Sequence, residues 1–115
     1  MRPETRLQRD ILKYLAAKGF KAVAVPNGAI LKGDSKERSI QMANLKRDGL
    51  LPGMPDLIVY GSRSRIGHIE VKCEGKYQQD TQRSVQRWMT DWGHLYAVCR
   101  SLADVDETLA RWGWV

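Results

Sequence analysis

Asp56, Glu70 and Lys72 are the residues of this chain whose types and spacing suit chemistry. Asp56 follows "PGMP" and leads into the apolar run "LIVY"; after an interval of thirteen residues, Glu70 and Lys72 stand in "GHIEVKCEG". Both stretches read as strands, and the turn-like "GSRSRIG" between them predicts a hairpin. Alternate residues of a strand share a face. His68, Glu70, Lys72 and Glu74 therefore fall on one side, and Ile69, Val71 and Cys73 on the other. If the hairpin register carries Asp56 to Glu70, two carboxylates meet. Such a pair repels, and one member takes up a proton unless a cation lies between them. Ligands that are all oxygen favour hard ions, Mg²⁺ or Mn²⁺. An ion held there can bind a phosphate oxygen and acidify a bound water. The adjacent lysine can orient that water or neutralise charge developing on phosphorus. Phosphodiester hydrolysis is the chemistry that fits. Spacing alone leaves a plainer reading open, with Glu70 and Lys72 as solvated strand residues and Asp56 as a turn residue.

The flanking elements decide whether these groups are positioned. A length of 115 residues suits one domain, residues 1–115, with a core of its own. A first helix is expected from Pro3, with Leu7, Ile11, Leu12 and Leu15 as its apolar stripe and Gly19 as its stop. "KAVAV" at 21–25 reads as a strand broken at Pro26, Asn27 and Gly28. Asp34 and Glu37 fit a capping box opening a second helix near 35–48, whose sparse apolar residues make it peripheral. The hairpin follows, its first strand near 56–60. A third helix is expected over 79–92, where Val85, Trp88, Met89 and Trp92 recur at helical spacing. "HLYAVC" at 94–99 is a strand, and Ser101 and Asp104 suggest a cap for a last helix carrying Val105, Leu109 and Trp112. The order α–β–α–β–β–α–β–α predicts an α/β fold, a mixed sheet with helices packed on it.

At this point the sequence resembles a known group of proteins. "PGMPD", the thirteen-residue interval and "EVK" look like the PD-(D/E)xK nuclease superfamily, and more narrowly the VRR-NUC domain family in its stand-alone form. Glu4 in the first helix, "DGLLPGMPDLIVY" at 48–60, "GHIEVKCEG" at 67–75 and "DTQRSVQRW" at 80–88 carry the likeness, which spans most of residues 4–99. It implies a restriction-endonuclease-like α-β-β-β-α-β core, here with one inserted helix and a C-terminal helix. It also implies roles. Asp56 and Glu70 would be acidic metal ligands, Val71 would offer its backbone carbonyl, and Glu4 would approach the metal from the first helix. Lys72 would be the catalytic lysine, and Gln82 would be aimed into the site from the third helix. Gln82 lies on that helix's inward stripe, which favours it over Gln78 and Gln79 for this place. Capping of nearby backbone is the alternative for Gln82, and stabilisation of the helix dipole is the alternative for Glu4.

A net charge of +6 and a pI near 9.6 favour a polyanionic partner. Lys32, Arg63, Arg65 and Lys76 are candidate phosphate contacts. The resemblance implies a homodimer acting on branched DNA such as four-way (Holliday) junctions, in an intracellular, cytoplasmic setting of bacterial or phage type. A non-catalytic DNA-binding module, a nuclease with another nucleic-acid substrate and a basic α/β protein with an accidental motif are the competing readings. No apolar run suits a membrane span, and the charged "MRPETRLQRD" lacks a signal peptide's apolar core. A soluble, unexported protein is expected. Cys73 and Cys99 are expected as reduced core thiols, with no zinc pattern. His68 reads as a surface residue at a strand end, and His94 has no assigned role. Trp88, Trp92 and Trp112 are expected in the core or an interface, with Trp114 less constrained and open to an oligomer contact. No aromatic ladder for stacking single-stranded bases is evident.

Overall fold

The structure, a computed structural model, describes residues 1–26 and 31–115. The expected break at Asn27 and Gly28 lies outside them. The eight elements come in the predicted order: α1 (Pro3–Ala17), β1 (Lys21–Ala24), α2 (Ser35–Arg47), β2 (Leu57–Gly61), β3 (Arg65–Val71), α3 (Asp80–Asp91), β4 (Leu95–Cys99) and α4 (Leu102–Arg111). The sheet runs β1-β2-β3-β4, with β1–β2 and β2–β3 antiparallel and β3–β4 parallel. The parallel pair requires a crossover, which α3 supplies. No helix among the described residues is long and apolar enough to cross a membrane.

One face of the sheet carries the main core. Ile11 and Leu15 of α1 and Val105 and Leu109 of α4 close over Leu57, Val59, Ile69, Val71 and Cys99. Burying side chains of this size contributes about 1.5–3 kcal/mol each, which makes this layer the chief source of stability. Tyr14 Oη donates to Asp106 Oδ1 at 2.6 Å and joins α1 to α4 at their rim. The opposite face is covered by α3, whose buried residues are Val85 and Met89. β3 is thus sandwiched. That overturns the expected division between a core face and an open face, for Glu70 is only 1% exposed and Lys72 8%. The strand also ends earlier than "GHIEVKCEG" suggested, at Val71. Lys72 continues the ladder by one bond, its N–H donating to Cys99 O at 3.1 Å.

α2 has no buried residue, as its thin apolar pattern predicted. Asp34 Oδ1 accepts from the Glu37 N–H at 2.8 Å, the first half of the expected capping box. Among the described residues, no other helix or strand brings a Cα within 8 Å of it.

The tryptophans divide differently from expectation. Trp92 is 73% exposed, because it caps the end of α3 instead of continuing its inward stripe. Trp114, expected to be loosely placed, is buried against Phe20 and Trp112. Trp112 lies over Gly67 of β3, where a Cβ would come within 2.4 Å of its ring. Cys99 is buried and Cys73 half-buried, both as free thiols. His68 is no surface residue. It is half-buried, with Nδ1 3.0 Å from Leu95 O and its ring edge-on to His94. Burial, first of all, lowers its pKa.

Candidate active site

Strand pairing brings the two carboxylates together. Leu57 stands opposite Ile69, so the preceding residue, Asp56, falls opposite Glu70 in an antiparallel ladder. Asp56 Oδ2 accepts the Val71 N–H at 2.7 Å, which fixes the carboxylate against the end of β3. Its own carbonyl accepts from Val25 N at 2.8 Å and extends the pairing with the β1 edge. The structure therefore engages the Val71 amide with Asp56, alongside the carbonyl role that the family resemblance implies for this residue.

Glu70 is the most perturbed group of the site. Burial pushes its carboxyl from the ordinary 4.5 up to about 9. A hydrogen bond to Asp56 and the Asp56 charge push the same way, Lys72 opposes them, and Glu4 adds a further upward push. Physically, a buried carboxyl beside a second carboxylate favours its neutral form, so Glu70 holds a proton. Glu4, in the first turn of α1, acts on Glu70 through its field.

Gln82 does two things at once. Its Oε1 accepts the Gln79 N–H at 2.8 Å, while the Gln79 side chain accepts from the Gln82 backbone, a reciprocal cap on α3. Its Nε2 donates to Glu70 Oε1 at 3.3 Å. The cap and the inward contact with Glu70 coexist because the two ends of one amide serve them separately. The loop before Asp56 locks this arrangement. Gly53 has φ +93, and a Cβ on it would meet Thr81 O at 2.4 Å and Gln82 N at 2.9 Å. Only a glycine lets the loop lie so close to the first turn of α3.

Of the two residues behind Glu70, Tyr96 escaped the sequence reading and Gln78 was weighed only as a rival to Gln82. Tyr96 Oη lies 3.5 Å from Glu70 Oε2, and Gln78 Nε2 donates to Tyr96 Oη at 3.1 Å. Burial, followed by the charge of Glu70, raises the Tyr96 pKa, so it stays a neutral phenol. The signal was in "HLYAVC". Tyr96 alternates with the core-facing Ala97 and Cys99, which puts it on the face of Glu70. Gln78 acts through Tyr96.

Arg2, Glu4, Gly53, Asp56, Lys72 and Gln82 line a cavity of about 410 Å³. Lys76 lines the adjoining one. The other candidate phosphate contacts lie elsewhere. Arg63 is in the hairpin turn, and Arg65 opens β3 five residues before Glu70, roughly 17 Å along a strand. Lys32 is tied by its backbone to Gln41 of α2. A larger open cleft of about 620 Å³ along α2 has no acidic residue in its lining.

The donor set fits a hard divalent cation in its chemistry. Asp56 and Glu70 offer oxygen only, and the proton held by Glu70 marks where positive charge is wanted. Among the described residues no three His, Cys, Asp or Glu side chains are gathered closely enough to cage an ion alone. Mg²⁺ and Mn²⁺ tolerate this, since such ions commonly keep waters and take one or two carboxylates.

No family model matches the sequence, and no curated protein matches it either. Solved structures do. One described as a VRR_NUC domain is 22% identical and has a TM-score of 0.66, with 94% of each chain covered. Another, described as a VRR_NUC domain protein, is 20% identical and has a TM-score of 0.72, covering 96% of this chain and 88% of that one. The class these likenesses define is an α/β fold, among the described residues a four-stranded mixed sheet flanked by four helices. More narrowly, the fold is that of the VRR-NUC domains, and the resemblance carried by "PGMPD" and "EVK" holds at that level.

Proposed function

We propose that this chain is a divalent-metal-dependent endonuclease that hydrolyses DNA phosphodiester bonds, acting on branched DNA such as four-way junctions. The observation that carries this reading is one cavity lined by Asp56, Lys72 and Gln82, with Glu70 buried behind it against Gln82 and kept protonated by burial and by Asp56. Asp56 and Glu70 would hold Mg²⁺ or Mn²⁺, with Glu4 close enough to assist. Bound there, the ion would polarise a phosphate oxygen and acidify a water.

The chain's own groups do the rest. Glu70 would release its proton to solvent and then serve as a ligand. Val71 N–H keeps Asp56 oriented as it does so. Gln82 Nε2 holds the Glu70 carboxylate from the α3 side. Among the described residues the Lys72 ammonium has no hydrogen-bond or ion-pair partner. It is free to orient the attacking water or to meet charge developing on the phosphoryl oxygens. The net charge of +6 favours the polyanion over a neutral substrate. A homodimer would place two such sites about a two-fold axis and allow paired cuts in a symmetric junction. An intracellular setting agrees with that substrate.

The test is incubation with linear duplex, flap, single-stranded and four-way-junction DNA, with and without Mg²⁺ or Mn²⁺, beside Lys72→Ala. Metal-dependent cutting of the branched substrates, lost in the variant, is expected. Metal-independent cutting, or cutting that survives the substitution, overturns the mechanism. A monomer in solution at working concentration overturns paired cutting.

A further inference from the structure

The active-site cavity does not end at Lys72. Arg2, Glu4, Lys72 and Gln79 are a wall it shares with a second cavity of about 420 Å³. Lys76 and Tyr77, from the loop between β3 and α3, also line this second cavity. Tyr77 is 79% exposed. Among the described residues its hydroxyl makes no hydrogen bond and its ring meets no other ring or cation. An isolated exposed aromatic is ordinary on a protein surface. This one lines a cavity that shares Lys72 with the active-site cavity and carries the cations Arg2 and Lys76. A flat ring and flanking positive charges are the pairing that holds single-stranded nucleic acid, the ring taking a base and the cations its phosphates. A base inside continuous duplex has both faces covered by its neighbours. Only an unpaired base has a face to offer.

We infer that Tyr77 is a stacking platform for an unpaired base adjoining the scissile phosphate, with Arg2 and Lys76 on the neighbouring phosphates. The site then takes DNA that is opened at the cut, at a fork or branch, in preference to uninterrupted duplex. This rests on the nuclease reading above and narrows its substrate.

Binding can be measured on the Lys72→Ala background, by anisotropy of fluorescein-labelled single strand, splayed fork and continuous duplex of one sequence. Adding Tyr77→Ala is expected to weaken binding of single strand and fork about tenfold, within the range for losing one base–ring stack. Duplex affinity should move less than about twofold, since phosphate contacts dominate there. Tyr77→Trp should keep the preference. Equal losses on all three DNAs, or no loss on any, overturn the inference. Cutting by the wild type together with an unmoved Tyr77→Ala affinity overturns it alone. A wild type that neither binds nor cuts DNA overturns the nuclease reading, and this inference falls with it.

Discussion

The two ends of β3 each carry a cation, and the two cations are used in opposite ways. At the turn end, Arg65 is fully engaged. It donates to Ser62 O at 2.8 Å, to Ser62 Oγ at 3.0 Å and to Trp114 O at 3.4 Å, and lies over the rings of Phe20 and Trp114. At the other end, just past Val71, Lys72 is buried beside two carboxylates, and its ammonium makes no hydrogen bond or ion pair among the described residues. A cation spent on carbonyls and rings holds a fold together. One buried and left unsatisfied is costly, and its retention makes sense where a ligand completes it. Perturbed, incompletely paired groups of this kind gather at functional sites.

The sharpest way to break this contrast is to remove each cation in turn. Lys72→Ala should reduce single-turnover cleavage at least about a hundredfold, the scale for removing one group that meets transition-state charge. Its folding stability should stay within about 1 kcal/mol of wild type, because no partner is orphaned. Arg65→Ala should do the reverse, costing about 2 kcal/mol in urea unfolding with lost charged hydrogen bonds and ring contacts. Its cleavage rate at a temperature where it stays folded should be nearly unchanged. Loss of cutting by a folded Arg65→Ala would restore the arginine as a phosphate contact and dissolve the distinction.

Acidity at the Lys72 end gives the next largest effect. Without metal, folded Glu70 keeps its proton up to about pH 9, whereas an unfolded chain releases it near 4.5. Within that window folding takes up a proton. Stability of the metal-free protein therefore falls as pH rises from 4.5 towards 9 and levels off above it, at no more than about 1.4 kcal/mol per pH unit for one proton. Glu70→Gln should flatten this dependence. Mn²⁺ should flatten it in the wild type, because ligation needs the ionised carboxylate and releases the proton. Urea midpoints at several pH values, with a chelator and with Mn²⁺, check both. A stability that rises across the same range would show that Glu70 is ionised in the fold.

What the sequence revealed of this site follows from how local each part is. The meeting of Asp56 with Glu70 was legible because strand parity and a short turn fix it together. The turn, Ser62 to Ser64, closes with Arg63 and Ser64 at φ 61 and 63. Gln82 was legible because helical spacing from Val85 and Met89 turns it inward. The burial of Glu70 was not, since the same alternation describes an open face as well as one covered by α3. Arg65 was read as a phosphate contact because charge is visible in a sequence and its neighbours, Ser62, Phe20 and Trp114, are gathered only by the fold. Tyr77 was overlooked for a similar reason. One tyrosine makes no ladder, and only the fold places it next to Lys72.

Two glycines sharpen the contrast at smaller cost. Gly53→Ala, at positive φ and against Thr81 O, should push the "PGMP" loop from α3. It should cost about 1–2 kcal/mol for an alanine in a glycine-only conformation, and cleavage should fall about tenfold, as expected when reacting groups shift slightly. Gly67→Ala meets the Trp112 ring at the other end. It should cost about 1–3 kcal/mol by overpacking while leaving the rate of the folded enzyme alone. Equal rate losses would mean that strain travels the length of β3.

The finest division lies inside one side chain, Gln82, whose Oε1 serves the α3 cap and whose Nε2 serves Glu70. Gln82→Glu retains an acceptor at the third helical position, where glutamate completes a capping box as well as glutamine does. It loses the donor to Glu70 and adds a third negative group beside two carboxylates. Stability at neutral pH should fall by no more than about 1 kcal/mol, the scale of one uncompensated hydrogen bond, with cleavage reduced well beyond that of Gln82→Ala. Gln82→Ala loses the cap, about 1 kcal/mol, and one neutral hydrogen bond, which should cost cleavage about fivefold. The two variants thus move stability and rate in different proportions. If both instead lose stability alone, with equal cutting by the folded fractions, the Nε2 contact with Glu70 has no part in the reaction and Gln82 belongs with Arg65, as a residue that only builds the fold.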